Sequence, residues 1–441
     1  MIKKIIISTC FLYVAGLSLI ACTKKAASTP VINVVDSSMV NTSHLDHLYT
    51  PVSFPDGTQA AGIYIYSNYP NYVNVEATGE GFACVDDVSR AALVYLRSNK
   101  FSTDTTTQSK LFNLIQFMLE MQSSNGYFYN FLLTNTGQIN TSGPTSVNTP
   151  NWWSWRAFQA LTEAAPVVKS LNLPLYNKMI IAINNLVAQM KIDLVTLSQT
   201  TTTISGVTIP QWLPAGSGTD QSSVLILGLI NYCSANSDPV MSGFIKRLAD
   251  GIVLMQQSDT TQFPYGAFLS WENTWHAYGN VQAYALMQAG NFLNNPQYNN
   301  AAMNEVDHFY PWLLQNGYQC SFAISNTAGV IQILSDTAYA QIAYGIEPMV
   351  FAAAEAYKET GQAKYADMAG HIAAWLLGAN VANTNMYNIS TGVCFDGLSS
   401  ASASGVNLNS GAESTIEALL TLEKVEAYPV IKTALNRYKM P

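Results

Sequence analysis

The chain has 441 residues and a formal net charge of -8, and only 11% of its residues are charged. Soluble domains usually carry about 25% charged residues, so Ser, Thr, Asn and Gln must form much of this surface. The sequence contains no basic stripe, which disfavours both nucleic acid and acidic polysaccharides as partners. We expect no nucleic-acid partner, and a neutral polymer fits this composition better.

The N-terminal segment has the pattern of a bacterial lipoprotein signal. Lys3 and Lys4 precede an apolar stretch that ends in Leu19-Ile20-Ala21-Cys22. A cleavage box that ends in Cys predicts lipidation at that residue. The apolar stretch is short for a membrane span. We therefore expect residues 1–22 to be a signal peptide with a lipid anchor on Cys22.

The predicted anchor sets the organisation of the rest of the chain. Thr23 rather than Asp follows Cys22, which favours the outer membrane, on its periplasmic face or at the cell surface. Residues 23–50 are rich in small and polar residues and show no periodic pattern, which is typical of a flexible tether. The remaining residues, 51–441, are numerous enough for one domain with a substantial core.

Six helical hairpins are predicted along this domain. Each pairs a helix that starts with aromatic and polar residues with a plainer second helix, and Asn, Gly and Pro mark the turns. The predicted pairs are Asp86–Asn99 with Thr107–Gln122, Trp152–Lys169 with Pro174–Leu194, Asp220–Ser234 with Pro239–Gln257, Thr274–Leu293 with Pro296–Gln315, Thr337–Thr360 with Ala363–Leu377, and Gly411–Val425 with Ala427–Tyr438. Short strands are predicted in the connecting loops at Gly62–Ser67, Tyr127–Leu133, Thr201–Ile209 and Ser321–Leu334. Six hairpins suit a closed, all-α ring whose inner helices line a central pit.

The starts of the first helices carry residues suited to sugar chemistry. Trp and Tyr rings stack on sugars, and carboxylates and amides hydrogen-bond hydroxyl groups. Cleavage of a glycosidic bond needs two carboxyl groups that flank it. The candidate catalytic residues are Asp86, Asp87, Glu413 and Glu272. The candidate substrate-binding residues are Trp152, Trp153, Trp155, Arg156, Trp271, Trp275, His276, Tyr278, Asp336 and Asn409.

From about Ala61 to Tyr438 the chain resembles the six-hairpin glycosidases. The resemblance implies an (α/α)6 barrel with a cleft at the N-terminal ends of the inner helices. The early pair Asp86-Asp87 and the late Glu413 resemble family 9 cellulases in kind and order. This likeness implies a glycoside hydrolase that acts on a neutral oligo- or polysaccharide, with an inverting mechanism. In that mechanism Glu413 donates a proton to the leaving oxygen, and Asp87 or Asp86 activates water.

Purely structural roles are alternatives for the same residues. Asp86 and Asp87 begin a helix, where carboxylates cap free N–H groups, and Arg90 is placed for a local ion pair. Ser410-x-x-Glu413 matches a complete capping box. The barrel also suits a polysaccharide lyase that uses His276 and Tyr278 for proton transfer. A third alternative is a non-catalytic glycan-binding protein.

The sequence predicts no cofactor and no metal. It contains no Gly-rich phosphate loop after a strand and no Cys/His cluster, and its five His residues are scattered. Cys84, Cys233, Cys320 and Cys394 remain in the exported protein, and their spacing does not decide between disulfides and free thiols. We expect a monomer whose partners are a carbohydrate substrate and, through the lipid anchor only, the membrane.

Overall fold

The computed structural model describes residues 38–257 and 260–440. The predicted signal peptide, Cys22 and the first part of the predicted tether lie outside these residues. Within the described part of the chain, no helix is both long enough and apolar enough to cross a membrane.

Fourteen α-helices lie within residues 38–257 and 260–440. In chain order, α1 to α14 are Ser43–Leu48, Val85–Arg97, Thr105–Glu120, Trp152–Leu171, Leu173–Asp193, Thr219–Ala235, Pro239–Leu254, Gln282–Leu293, Pro296–Asn304, Tyr310–Gln315, Glu347–Thr360, Ala363–Ala373, Ala412–Glu426 and Pro429–Tyr438. A π-helix, Glu305–Phe309, joins α9 to α10.

These helices form a closed (α/α)6 barrel. The inner helices α2, α4, α6, α8, α11 and α13 contact one another in that order, and α13 returns to contact α2. Their outer partners are α3, α5, α7, α9, α12 and α14. The predicted fold class is therefore confirmed, and closure of the ring brings the starts of α2 and α13 together.

Local sequence signals explain the turns inside the hairpins. The side chains of Asn172, Asp238 and Asn295 accept hydrogen bonds from the first backbone N–H groups of α5, α7 and α9, and Pro lies in the first turn of each helix. Pro suits that position because its fixed φ is helical and the first turn needs no N–H donor. Gly361, with a φ of 68°, ends α11 in the left-handed conformation that glycine adopts readily.

Short strands occupy the loops that connect the hairpins. In chain order, β1 to β13 are Tyr49–Ser53, Gln59–Ile63, Tyr66–Asn68, Val73–Val75, Ala83–Cys84, Phe131–Leu132, Thr201–Ile204, Val207–Pro210, Thr274–His276, Ser321–Thr327, Val330–Thr337, Gly397–Leu398 and Val406–Asn407. Antiparallel pairs are β1 with β2, β3 with β4, β5 with β6, β7 with β8, and β12 with β13, and a three-stranded sheet has the order β11-β10-β9. The hairpins predicted near residues 201–209 and 321–334 are present.

The predicted starts of two inner helices were wrong. Thr274–His276 is strand β9, which pairs with Ser321–Ala323, and helix α8 begins only at Gln282. Thr337 ends strand β11, and helix α11 begins at Glu347. The pairing of β9 with β10 joins distant segments, so helical periodicity along the sequence does not reveal it.

Part of the segment assigned to the tether belongs to the folded unit. Residues 38–50 include α1, whose Leu45 and Leu48 are fully buried. Ser38 Oγ donates a hydrogen bond to one carboxylate oxygen of Glu426 at 2.7 Å, and Met39 N donates to the other at 2.6 Å. Residues 38–50 therefore belong to the folded unit. Such contacts depend on the tertiary structure and leave no periodic pattern in a short segment.

Candidate functional site

The N-terminal ends of the inner helices open into a cleft with two adjoining chambers. The larger chamber, of about 630 Å³, is lined by Trp152, Trp153 and Trp271 and is named here the tryptophan chamber. The smaller chamber, of about 340 Å³, is lined by Asp87 and Glu413 and is named here the carboxylate chamber. The residues that line both chambers are Glu80, Asp86, Asn130, Phe131 and Tyr344. The cleft therefore lies where the resemblance implied it would.

Strand pairing fixes the first turn of α2 in the wall between the chambers. Cys84, in the β5–β6 pair, is the N-cap of α2, and its Sγ accepts a hydrogen bond from Asp87 N. Asn130 precedes β6, and its Oδ1 accepts a hydrogen bond from Asp86 N at 3.2 Å. The side chain of Asp86 remains 28% exposed, whereas that of Asp87 is 7% exposed. Of the two adjacent aspartates, Asp86 is the more accessible to a ligand.

Arg90 links the carboxylates of the carboxylate chamber. Its Nη2 lies 2.8 Å from Asp87 Oδ1 and 3.5 Å from Glu413 Oε2, and its Nε lies 3.4 Å from Asp86 Oδ1. Beneath the chamber floor, Nη1 donates to the buried Glu417 at 2.5 Å. The ion pair predicted from spacing is present, but it is part of a network that joins the first and sixth hairpins.

The carboxyl groups of Asp87, which is buried, and Glu413, which is partly exposed, have altered acidity. Burial raises the pKa of Asp87 to about 6, and the charge of Arg90 opposes this shift. The position of Asp87 near a helix N-terminus predicts a lowered pKa, but desolvation has the larger effect. Burial also raises the pKa of Glu413 to about 7, with Arg90 again opposing and Asp87 adding to the shift. A carboxyl group that holds its proton near neutral pH suits a proton donor.

Glu413 does not form the capping box that its sequence pattern allows. The N-cap of α13 is Gly411, one residue later than the pattern requires, and Ser410 Oγ bonds instead to Cys394 N. Asp396 Oδ1 holds the start of the helix by accepting from Gly411 N and Ser414 Oγ, both at 2.7 Å. The Glu413 side chain is 43% exposed and reaches into the chamber. Glu413 therefore does not serve as a helix cap, and its carboxyl group is available to a substrate in the chamber.

The tryptophan chamber contains half of the predicted substrate-binding residues and the catalytic candidate Glu272. Trp152 and Trp153 enter it from the start of α4, and Trp271, Glu272, His276 and Tyr278 enter it from the loop around β9. Trp271 is 38% exposed and lies tilted against the ring of His276. Burial lowers the pKa of His276, so its imidazole is neutral at pH 7.

The other five predicted binding residues, Arg156 among them, line neither chamber. Trp155 is fully buried and donates from Nε1 to Gln221, and Trp275 is buried in a stack with Phe322. These side chains take core positions because helix and strand geometry turns neighbouring residues to different faces. The last two predicted residues line neither chamber, since Asp336 is an exposed residue of β11 and Asn409 accepts from Tyr69 N in an outer loop.

Arg156 lies between the chamber floor and the barrel interior. It is buried, its Nη2 donates to Tyr344 Oη at 2.6 Å, and its Nε lies 3.6 Å from Asp86 Oδ1. It therefore contacts two residues of the shared wall, and it lines neither chamber itself.

Sequence reasoning missed several chamber residues. They are Glu80, Asn130, Asp220, Gln221, Tyr344, Tyr66 and Asp396. Asp220 had one available signal, since it begins an inner helix as Asp86 does. Asn130 and Asp396 lie in loops and Tyr344 lies in the short 3-10 helix Ala343–Gly345, and only the folding of these segments over the barrel reveals their place.

The described residues include no group of three or more His, Cys, Asp or Glu side chains placed to hold a metal ion. The cysteines at 84, 233, 320 and 394 are free thiols in the described part of the chain. Their arrangement gives no disulfide to this domain.

Comparison with solved structures identifies the fold. A sugar epimerase from a ruminal bacterium matches with a TM-score of 0.60 and 10% identity, over 83% of this chain and 92% of that chain. A D-mannose isomerase matches with a TM-score of 0.58 and 12% identity, over 83% and 92%. A family 76 glycoside hydrolase from a bovine Bacteroides thetaiotaomicron strain matches with a TM-score of 0.56 and 10% identity, over 89% and 78%.

At these identities the likeness shows the fold alone. The chain has the (α/α)6 fold that its resemblance to the six-hairpin glycosidases implied, and the matched sugar epimerase, D-mannose isomerase and family 76 glycoside hydrolase share this fold. No protein-family model matches the chain, and no curated protein matches it either.

Proposed function

We propose that this protein is a glycoside hydrolase that acts on a neutral oligo- or polysaccharide. One observation carries the proposal: Asp86 and Glu413, from the first and the sixth hairpin, face the same chamber with different surroundings. Asp86 has two guanidinium groups beside it, those of Arg90 and Arg156. Glu413 is desolvated and has its pKa raised to about 7. Such a pair supplies the acid and the base that glycoside hydrolysis requires.

In the proposed reaction, Glu413 donates its proton to the glycosidic oxygen as the bond to the leaving sugar breaks. Asp86 either activates a water molecule or attacks the anomeric carbon itself. The sugar on one side of the bond would occupy the tryptophan chamber and the sugar on the other side the carboxylate chamber. Asp86 lines both chambers and so is placed beside the bond that joins them.

Asp87 is better suited to positioning than to activating water. Its Oδ1 accepts from Arg90 at 2.8 Å and its Oδ2 accepts from Cys84 Sγ at 3.2 Å, so both oxygens have partners. Because Asp87 and Glu413 contact the same nitrogen of Arg90, their nearest oxygens lie no more than about 6 Å apart. Little room remains between them for the water molecule of an inverting pair. We therefore assign the base to Asp86, and the inverting outcome stays a prediction.

The charges of the cleft favour a neutral substrate over a uronate. A lyase needs a cation or an amide to neutralise the substrate carboxylate. Arg90 and Arg156 are buried, and both already contact carboxylates of the protein. This arrangement disfavours the lyase alternative.

A sugar epimerase or isomerase is the second candidate function. His276 supports it, because a neutral imidazole next to Tyr278 in the tryptophan chamber suits removal of a proton from carbon. The matched sugar epimerase and D-mannose isomerase also have this fold. This candidate would use His276 and would not depend on Glu413.

A turnover screen separates these functions. The protein without residues 1–22 would be incubated with neutral oligosaccharides, with uronate-containing polysaccharides and with free sugars such as cellobiose and mannose. New reducing ends from a neutral glycan, lost in Glu413→Gln, would support the hydrolase. Conversion of a free sugar that is lost in His276→Gln would support the epimerase or isomerase. Binding of glycan without any turnover would support the alternative of a non-catalytic glycan-binding protein.

We also propose that the enzyme is held at the outer membrane by a lipid on Cys22. The sequence around Cys22 supports this proposal. A monomer tethered in this way would meet its carbohydrate substrate at the cell envelope.

A further inference from the structure

The floor of the tryptophan chamber contains a carboxyl group that the proposed reaction does not use. Asp220 lies in the first turn of α6 and lines the chamber, although only 4% of the residue is exposed. Its Oδ1 accepts a hydrogen bond from Gln221 N at 2.6 Å. Among the described residues, Asp220 forms no ion pair within 4.0 Å. A buried carboxyl group in such surroundings is unusual and suggests a ligand.

The start of α6 is held rigidly, which fixes the place of Asp220. Thr219 N donates to Ser270 O at 2.9 Å, and Thr219 Oγ1 donates to Leu269 O at 2.6 Å. Gln282 Nε2 donates to Thr219 Oγ1 from the start of α8. Contacts from two neighbouring segments therefore set the position from which the Asp220 carboxyl group faces the chamber.

A hydrogen bond also fixes the orientation of the Gln221 side chain. Trp155 Nε1 donates to Gln221 Oε1 at 3.1 Å, so the oxygen of the amide is turned towards the buried indole. Gln221 also lines the tryptophan chamber, next to Asp220. The amide group of Gln221 and the carboxyl group of Asp220 therefore adjoin the same chamber at the start of α6.

The surroundings of Asp220 favour its neutral form. Burial raises the pKa of Asp220 to about 7, and its bond with Gln221 N and the charge of Arg156 oppose the shift only in part. The titratable groups that face the chamber from the other elements are Glu80, Asp86, Glu272, His276, Tyr278 and Tyr344, and the buried Arg156 lies behind Asp86 and Tyr344. In its neutral form Asp220 is both a donor and an acceptor, whereas a carboxylate only accepts.

We infer that Asp220 determines the specificity of the tryptophan chamber, as a carboxylic acid that donates a hydrogen bond to an uncharged oxygen of a neutral sugar. This inference rests on the proposed function, because it takes the chamber to be a sugar subsite. Trp152 and Trp271 supply the aromatic surfaces beside that oxygen. A site built to donate to a sugar oxygen discriminates strongly against an analogue that lacks the oxygen. An anionic sugar is disfavoured because its charge would meet a carboxyl group without a neighbouring free cation.

The test measures binding rather than turnover, so it does not depend on the roles of Asp86 and Glu413. All variants carry Glu413→Gln, which prevents hydrolysis and removes one group that titrates near neutral pH. The probes are the methyl glycosides of glucose, mannose, galactose and arabinose, and calorimetry measures their dissociation constants at about pH 6 and about pH 8.5. A carboxyl group with a pKa of about 7 is mostly protonated at the lower pH. Its protonated fraction is roughly thirtyfold smaller at the higher pH.

We expect at least one probe to bind about tenfold or more weakly at the higher pH when Asp220 is present. Asp220→Asn should bind that probe equally at both pH values, because an amide keeps its donor. Asp220→Ala should bind it weakly at both. Asp336→Asn is the matched control, since Asp336 is an exposed carboxylate that lines neither chamber, and it should keep the pH dependence of the parent.

Three results would overturn the inference. The first is that none of the four glycosides binds. The second is that Asp220→Asn keeps the pH dependence, and the third is that Asp220→Ala binds as well as the parent. The hydrolase proposal fails by a different result, which is full turnover in Glu413→Gln with the sugar binding of Asp220 intact.

Discussion

Replacement of Glu413 by Gln tests the proposed acid most directly. Gln has nearly the same shape as Glu but cannot donate a carboxylic proton. Arg90 still contacts Asp86, Asp87 and Glu417 when the charge of Glu413 is removed, so the variant should fold. A positioned general acid contributes about 10²–10⁴-fold to the rate. We therefore expect kcat/KM to fall at least about a hundredfold on a natural glycan.

The pH profile adds a second signature of the same group. Because burial raises the pKa of Glu413 to about 7, about half of the enzyme carries the proton at that pH. The rate of the wild-type enzyme should then fall about tenfold for each further pH unit. In Glu413→Gln this alkaline fall should be absent, since no proton at this position is left to lose.

The assay compares two leaving groups. A dinitrophenyl glycoside needs little help from an acid, whereas a natural sugar leaving group needs a proton. Glu413→Gln should therefore retain most of its activity on the dinitrophenyl substrate and lose it on the glycan. Equal losses on both substrates, or full activity on the glycan, would refute the assignment. The matched variant Glu272→Gln should be close to wild type, and if it alone loses the glycan activity, Glu272 is the acid.

Four further predictions concern Asp86, Trp271, Glu305 and Cys22. Asp86→Asn should lower kcat at least about a hundredfold with an unchanged melting temperature, and a loss of stability without a loss of rate would make Asp86 structural. Trp271→Ala should weaken glycan binding by about 1 kcal/mol and reduce the quenching of tryptophan fluorescence by glycan, without changing thermal stability, because this ring is partly exposed. Burial raises the pKa of Glu305 to about 8. The contribution of Glu305 to the free energy of unfolding is therefore largest below about pH 4.5 and is lost as the pH rises towards 8. In urea unfolding, Glu305→Gln should therefore be more stable than wild type by up to about 4 kcal/mol near pH 8 and by less near pH 5; the opposite trend would contradict the burial argument. Cys22→Ser should abolish lipid labelling and release the protein from membranes, whereas retention without the lipid would indicate an apolar anchor.

The sequence allowed two purely structural roles, a capping box for Glu413 and an ion pair for Asp87, and the structure contains only the second. The capping box at Ser410 and Glu413 is not formed, because Asp396, which is distant in sequence, holds the start of α13 instead. The local ion pair of Asp87 with Arg90 is formed, and it leaves Asp87 with both oxygens engaged. A capping pattern describes what a segment can do alone, and the rest of the fold decides whether it does so.

The sequence by itself determined the hairpins and their order. Helical periodicity, Asn and Asp caps and Pro in first turns are local signals, and they predicted the turns at Asn172, Asp238 and Asn295. The number of hairpins also predicted ring closure, which brings Asp86 and Glu413 into one chamber. Local signals were sufficient here because each hairpin forms from contiguous residues.

Only the tertiary structure decided which polar and aromatic residues face the cleft. Trp153 lines a chamber and Trp155 is in the core, although both belong to the same run of aromatic residues. Asp86 is partly exposed, Asp87 is buried, and Asp220 keeps a raised pKa through desolvation. Desolvation depends on atoms brought together from distant hairpins and loops, so burial and the acidity that follows from it cannot be read from neighbouring residues in the chain.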